Sequence, residues 1–211
     1  VEVLERFKEQ GKIRCYGLSN IHGEEFKEVE PFLGEFVSCQ NEYSLVTRDN
    51  ENDLLVNCND LQLTPMTWGS LGQGVLTGKY NVNSGFGVND RRSREVYTNF
   101  HGDKLRKNIE IVEKMKPLAE NFGVSLAALA VRFILDYIPD SVALVGAKNP
   151  SQIEQIQREY KILPHRIQCR NGHKAENIKN SIDQHDNHIA HSGRSNPIQL
   201  YLHSKLTDRR E

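Results

Sequence analysis

The chain has 211 residues, with 27 Lys and Arg against 28 Asp and Glu, for a formal net charge of -1. That length can bury one substantial core, and a charge so near zero excludes nucleic acid or an anionic membrane as the main electrostatic partner. No apolar run approaches the roughly 18 residues of a transmembrane helix, and Val1-Glu2-Val3-Leu4-Glu5 has neither the basic region nor the apolar stretch of a signal peptide.

Val3, Leu4 and Phe7 share one helix face, closed by Gly11. A chain that opens inside an amphipathic helix without an initiator Met is expected to be truncated. Ile13-Arg14-Cys15-Tyr16-Gly17-Leu18 reads as the first strand. Phe26, Val29 and Leu33 then make a second helix face, ended by Gly34, and Phe36-Val37-Ser38-Cys39-Gln40 is the second strand. Leu54, Leu55, Cys58 and Leu61 make a third helix face, and Thr64-Pro65-Met66-Thr67-Trp68 the third strand. Residues 69–102, rich in Gly, Asn, Ser and Arg, have no strong period and read as a large loop.

Leu105, Ile109, Val112, Met115, Leu118 and Phe122 recur every three or four residues, which predicts a long helix ended by Gly123. Ser125 is placed to cap a further helix with Leu126, Leu129, Ala130 and Phe133 on its buried face. Ser141-Val142-Ala143-Leu144-Val145 is a fourth strand. Short apolar strands alternating with helices imply an α/β fold with a parallel sheet and right-handed crossovers, and four such units make half of an eight-unit (β/α)8 TIM barrel.

The cysteines Cys15, Cys39, Cys58 and Cys169 form no Cys-x-x-Cys pair. They read as reduced thiols of a cytoplasmic protein, the first three packed as small hydrophobes.

In such barrels ligands bind at the C-terminal ends of the strands. Ser19 and Asn20 follow the first strand; Gln40, Asn41 and Tyr43 stand at the end of the second; Trp68-Gly69-Ser70-Leu71-Gly72-Gln73-Gly74 follows the third. Glycines let backbone approach a ligand closely, and Trp68 offers a flat face to a planar ring; the same residues would also make a tight turn beside a core Trp. After the fourth strand, Asn149 is a good helix N-cap, Pro150 falls at the first helical position, and Gln152 has capping-box spacing. The helix N-terminus and Lys148 together suit a phosphate; an ordinary strand-to-helix turn with a surface lysine fits the same residues.

Taken together these blocks resemble the aldo-keto reductase family. Gly11 to Asn20 is similar to its fifth-strand signature, Gln40-Asn41-Glu42-Tyr43-Ser44-Leu45 to its sixth, Trp68 to Tyr80 to its seventh-strand loop, and Gly146-Ala147-Lys148-Asn149-Pro150-Ser151-Gln152 to its eighth-strand coenzyme motif. The nearest likeness is to bacterial reductases related to potassium-channel beta subunits. The resemblance implies that residues 1–156 are the C-terminal half of the barrel and bind NADP(H). Ser19, Asn20 and Gln40 would hold the nicotinamide carboxamide, and Trp68 would stack on the nicotinamide. Gly69, Ser70, Leu71, Gly72 and Gln73, with Lys79, would wrap the pyrophosphate. Gly146, Lys148 and Gln152 would engage the adenosine end, Lys148 at the 2'-phosphate. Gln155 and Ile156 stand where the family has Glu-Asn; Gln155 can substitute as a polar group. The family's catalytic Asp, Tyr, Lys and His lie on the first four strand-helix units, so no catalytic residue is assigned here. The substrate of the intact parent would be a small-molecule aldehyde or ketone.

Residues 157–211 carry 10 Lys and Arg against 6 Asp and Glu, and six of the eight histidines. This basic tail has little to bury and is expected to be disordered, as a read-through or frame-shifted end. Cys169, His173, His185, His188 and His191 have tolerable zinc spacings but match no tight motif. The sequence thus supports an enzyme half that holds coenzyme and is inactive alone, with a non-catalytic nucleotide-binding or regulatory module, or an inactive gene product, as the alternative. Open barrel edges predict self-association.

Overall fold

The computed structural model describes residues 1–32, 34–160 and 202–204. Helix α1 (Glu2–Glu9) leads to strand β1 (Tyr16–Ser19), which pairs in parallel with β2 (Phe36–Glu42); β2 pairs with β3 (Thr64–Trp68), and β3 with β4 (Val142–Ala143). The spatial order β1-β2-β3-β4 repeats the chain order, as consecutive right-handed crossover units require. Gly17 lets β1 approach β2, since a β-carbon there would lie 2.8 Å from the Ser38 carbonyl oxygen.

The long helices form where periodicity and caps agree. Helix α3 (Gly102–Phe122) ends at Gly123 with φ +63°, and buries Leu105, Ile109, Val112 and Met115. Helix α4 (Leu126–Tyr137) starts where the Ser125 side chain accepts a hydrogen bond from the Ala128 N–H at 3.2 Å. It is buried on more than the one expected face. Leu129 and Ala130 join a cluster with Val75, Leu76 and Val112, while Val131, Ile134 and Leu135 join another behind the sheet with Cys39, Tyr43 and Leu54. Arg132 lies between them at 2% exposure, and its Nε donates to Asp136 one turn on at 2.9 Å.

Three expected elements differ. The second helix is two 3-10 turns, Gly23–Glu28 and Glu30–Phe32: Phe26 and Val29 are buried as expected, but Pro31 cannot donate to an α-helical ladder. Leu33 lies outside the described residues. The third helix is a π-helical turn, Asp53–Asn57, running into a single α turn, α2 (Cys58–Asp60). The fourth strand breaks at Leu144, whose N–H donates to the Thr67 carbonyl, and resumes as β5 (Val145–Ala147). Cys15 is exposed rather than packed, because strand pairing begins only at Tyr16; Cys39 and Cys58 are fully buried. Helix α5 (Pro150–Glu159) carries the chain past the composition change near residue 156, and β6 (Leu202–Ser204) pairs in parallel with β5. Residues 157–160 and 202–204 of the tail are thus ordered, against the expected disorder; the Cys169 and histidine cluster and the rest of the tail fall outside the described residues.

Among the described residues no single helix is long and apolar enough to cross a membrane.

Candidate functional site

Parallel register sorts the sheet into two faces. Leu18, Cys39 and Pro65 share one level, and Asn41, Thr67 and Ala143 another, all turned toward the helices. Cys39, Asn41, Thr67 and Ala143 are fully buried there. Ser19, Gln40 and Met66 share the level between, on the opposite face, with Glu42 and Trp68 paired further along. This second face is more open: Ser19 is exposed, and Gln40, Glu42 and Trp68 are half-buried. A period of two therefore collects the polar strand-end residues on one side.

Ser19, Asn20, Gln40 and Trp68 come together as expected. The Ser19 hydroxyl donates to the Gln40 carbonyl at 3.2 Å, and the Asn20 N–H to the same carbonyl at 3.0 Å. Asn20 turns back with φ +53°, where its side-chain oxygen accepts from Trp68 Nε1 at 3.0 Å. The indole is thus fixed across the strand ends with its ring half-exposed. Asn41 and Tyr43 face the other way. Asn41 Nδ2 donates to the Ile21 carbonyl at 2.8 Å, and the buried Tyr43 hydroxyl donates to Glu51 at 3.0 Å. Burial drives that phenol's pKa up, so it stays protonated.

The loop after β3 folds tightly on itself. The Gly72 N–H donates to the Gly69 carbonyl at 2.7 Å and the Gly74 N–H to the Leu71 carbonyl at 2.9 Å. Ser70 is buried and its hydroxyl bonds the Thr67 hydroxyl at 3.0 Å, so its side chain serves the loop's own turn. Gln73 donates to Glu42, a member of the Gln40–Leu45 block with no role of its own there, which period two from Gln40 puts on the same face. Burial holds the Glu42 carboxyl above the usual carboxylate range, against the opposing pull of Gln73. Lys79 is exposed, its ammonium 5.1 Å from the centre of the Tyr80 ring.

The turn after β5 has the geometry its sequence predicts. Asn149 Oδ1 accepts from the Gln152 N–H at 3.1 Å and from the Ser151 hydroxyl at 2.7 Å, and Pro150 opens the helix. Gln152 Oε1 reaches back to the Lys148 N–H at 2.8 Å. Lys148 and Gln152 are exposed at the positive end of α5, and among the described residues no atom lies within 4 Å of where a β-carbon on Gly146 would stand. Gln155 is exposed one turn on, whereas Ile156 is buried in the core at 4% exposure and presents nothing to a ligand.

The model of the Aldo/keto reductase family matches residues 1–166. The chain is 33% identical over 159 residues to aldo-keto reductase YhdN of Bacillus subtilis, covering 74% of this chain and 46% of that protein. It is 30% identical over 155 residues to the NADH-specific methylglyoxal reductase of Escherichia coli, with the same coverage of each. A probable voltage-gated potassium channel subunit beta of Arabidopsis thaliana is 32% identical over 131 residues, 59% of this chain and 38% of that one. Among solved structures, the glycerol dehydrogenase of Gluconobacter oxydans superposes with a TM-score of 0.68 at 26% identity, over 91% of this chain and 56% of that one. The chain spans less than half the length of these curated relatives, 38% to 46%, and its sheet is part of a (β/α)8 barrel, as the cadence of strands and helices predicts.

Proposed function

The chain belongs to the aldo/keto reductase family, and from that premise we propose that it is the coenzyme-holding part of an oxidoreductase that interconverts an aldehyde or ketone with its alcohol, using NADP(H). The observation that carries this reading is the turn after β5. A capped helix N-terminus and an exposed lysine beside it make a donor set suited to a phosphate ester. At the other end of the site, Ser19, Asn20 and Gln40 would hold the carboxamide and Trp68 the nicotinamide ring. Between them the loop Gly69 to Gln73, with Lys79, would follow the pyrophosphate. Bound there, the coenzyme would supply hydride to a carbonyl carbon. Gln155 would meet the adenine, while the buried Ile156 would add no hydrogen bond to it.

Lys148 favours NADP(H) over NAD(H) because a 2'-phosphate adds charge where the lysine and the helix dipole are both positive. The NADH-specific relative makes this preference a matter for direct test. The proton donor would come from outside this chain, so the chain alone is inactive in this reading. A cytoplasmic location and self-association through open barrel edges belong to the same proposal.

The test is a fluorescence titration of the full chain with NADPH and NADH, repeated on Lys148→Ala. Saturable binding tighter for NADPH, with the preference lost in the variant, is expected. Equal affinity for the two coenzymes would sink the NADP(H) assignment, and binding of neither would sink the coenzyme reading. Turnover of a model aldehyde by the chain alone would place a proton donor within it.

A further inference from the structure

Gly72, Gln73 and Gly74 have consecutive φ values of +55°, +51° and +109°. Glycine takes such values readily, but a residue with a β-carbon holds the left-handed conformation only where its surroundings impose it. At Gln73 those surroundings are two side chains that grip its amide from both ends. Gln73 Nε2 donates to Glu42 Oε1, and Gln73 Oε1 accepts from Asn99 Nδ2 at 2.8 Å. Neither partner is a loose surface group. Glu42 is the last residue of β2, and the Asn50 side chain donates to its carbonyl at 2.9 Å. Asn99 is 4% exposed, and its Oδ1 accepts from Asn108 on α3 at 3.1 Å. The grip therefore ties the loop to the sheet on one side and to the long helix on the other. Gly69 leaves room for it, because a β-carbon there would lie 3.1 Å from Glu42 Oε1 and 3.2 Å from Gln73 Nε2.

We propose that Glu42 and Asn99 are positioning residues for the coenzyme loop: they hold Gln73 in its left-handed conformation, and so fix the backbone of residues 69–74 for a phosphate, without touching the coenzyme. This rests on the reading of that loop as a coenzyme site. It reassigns the Gln73 side chain, whose amide is committed to Glu42 and Asn99 rather than offered to the pyrophosphate. A loop already held needs no ordering when an anion arrives, which is how preorganisation raises affinity.

The experiment uses hydrogen exchange across residues 69–78 of the full chain, with NADPH titration in parallel. The variants are Glu42→Ala, Gln73→Glu, and the double change Glu42→Gln with Gln73→Glu. Removing the acceptor, or setting carboxylate against carboxylate, should speed exchange in this segment and weaken NADPH binding, each by about tenfold, the scale of one lost hydrogen bond. The double variant should restore both, because the amide at position 42 then donates to the carboxylate at position 73 while Asn99 keeps its acceptor. A general packing defect would not be repaired by exchanging donor and acceptor. Unchanged exchange in the single variants, or a double variant as loose as Gln73→Glu, would overturn the proposal. A chain that binds no NADPH, yet loosens and recovers as described, would confirm the grip and overturn the coenzyme reading instead.

Discussion

The two turns proposed to face phosphate are built by opposite means. The turn after β5 is relaxed and local: Asn149 has an extended backbone, and the hydrogen bonds that shape it run among Lys148, Asn149, Ser151 and Gln152. The loop after β3 is strained and distributed: it passes through successive left-handed residues and is held by Glu42 from β2 and Asn99 from far along the chain. A local site survives changes elsewhere and can be tuned by one side chain. A distributed site fails when any of its distant supports is removed.

The sharpest way to break that contrast is to add one methyl group to each turn. At Gly72 a β-carbon would lie 2.7 Å from Val46 Cγ2 and 2.9 Å from Val75 Cγ1, at a φ of +55°. Gly72→Ala should therefore cost about 2–4 kcal/mol, as conformational strain plus overpacking, read from urea unfolding. Gly146→Ala meets no atom within 4 Å among the described residues and should cost less than about 0.5 kcal/mol. Equal costs would mean that the two turns are not built differently.

Next in size is Lys148→Ala. The side chain is exposed and has no part in the cap, so the variant should keep wild-type stability. NADPH affinity should fall about tenfold, about 1.4 kcal/mol, with NADH affinity unchanged. Asn149→Ala should do the reverse and lower stability by about 1 kcal/mol through loss of the cap, with the lysine still in place. Differential scanning calorimetry alongside the titration separates the two; a Lys148 variant that loses stability would tie the lysine to the fold.

The same contrast explains what the sequence made legible. Asn149, Pro150 and Gln152 could be read directly, because an N-cap, a first-turn proline and a capping residue act within one helical turn. Ser125 and Gly123 marked the ends of α4 and α3 for the same reason. Ser19, Gln40 and Trp68 could be placed because strand ends and a period of two put them on one face. Period two from Gln40 also reaches Glu42, but its role depends on Gln73, and that of Asn99 on Asn108; no local spacing links these residues. Buried Phe26 and Val29 followed the helical pattern, yet Pro31 and the glycines at 23 and 34 left the backbone only 3-10 turns. Apolar periodicity predicts which side chains are buried more securely than which hydrogen-bond ladder carries them.

The smallest expected effect uses two carboxyls with opposite environments. Burial alone would raise both. At Glu51, hydrogen bonds from Arg48 at 2.9 Å, Tyr137 at 2.7 Å and Tyr43 at 3.0 Å outweigh it and hold the pKa below the usual range. At Glu42 the single bond from Gln73 does not, and the pKa stays above it. The signs follow from which state binds protons more tightly. Glu51 contributes stability at pH values above the unfolded carboxylate pKa of about 4.3, and that contribution is lost as pH falls through its lower folded value. The folded state holds the Glu42 proton to higher pH than the unfolded state does, so ionising Glu42 costs stability as pH rises from about 4.3 through its raised folded value. Glu42→Gln keeps an acceptor for Gln73 and removes the half-buried charge. Its stability relative to wild type should therefore rise across that window, by less than about 1 kcal/mol because the group is partly solvated. Glu51→Gln should move the other way over the acid range, its deficit shrinking as wild type itself protonates. Urea midpoints for both variants from about pH 3 to pH 8 read the two slopes; parallel slopes would mean that the Glu42 carboxyl beside the loop after β3 is as well satisfied as that of Glu51.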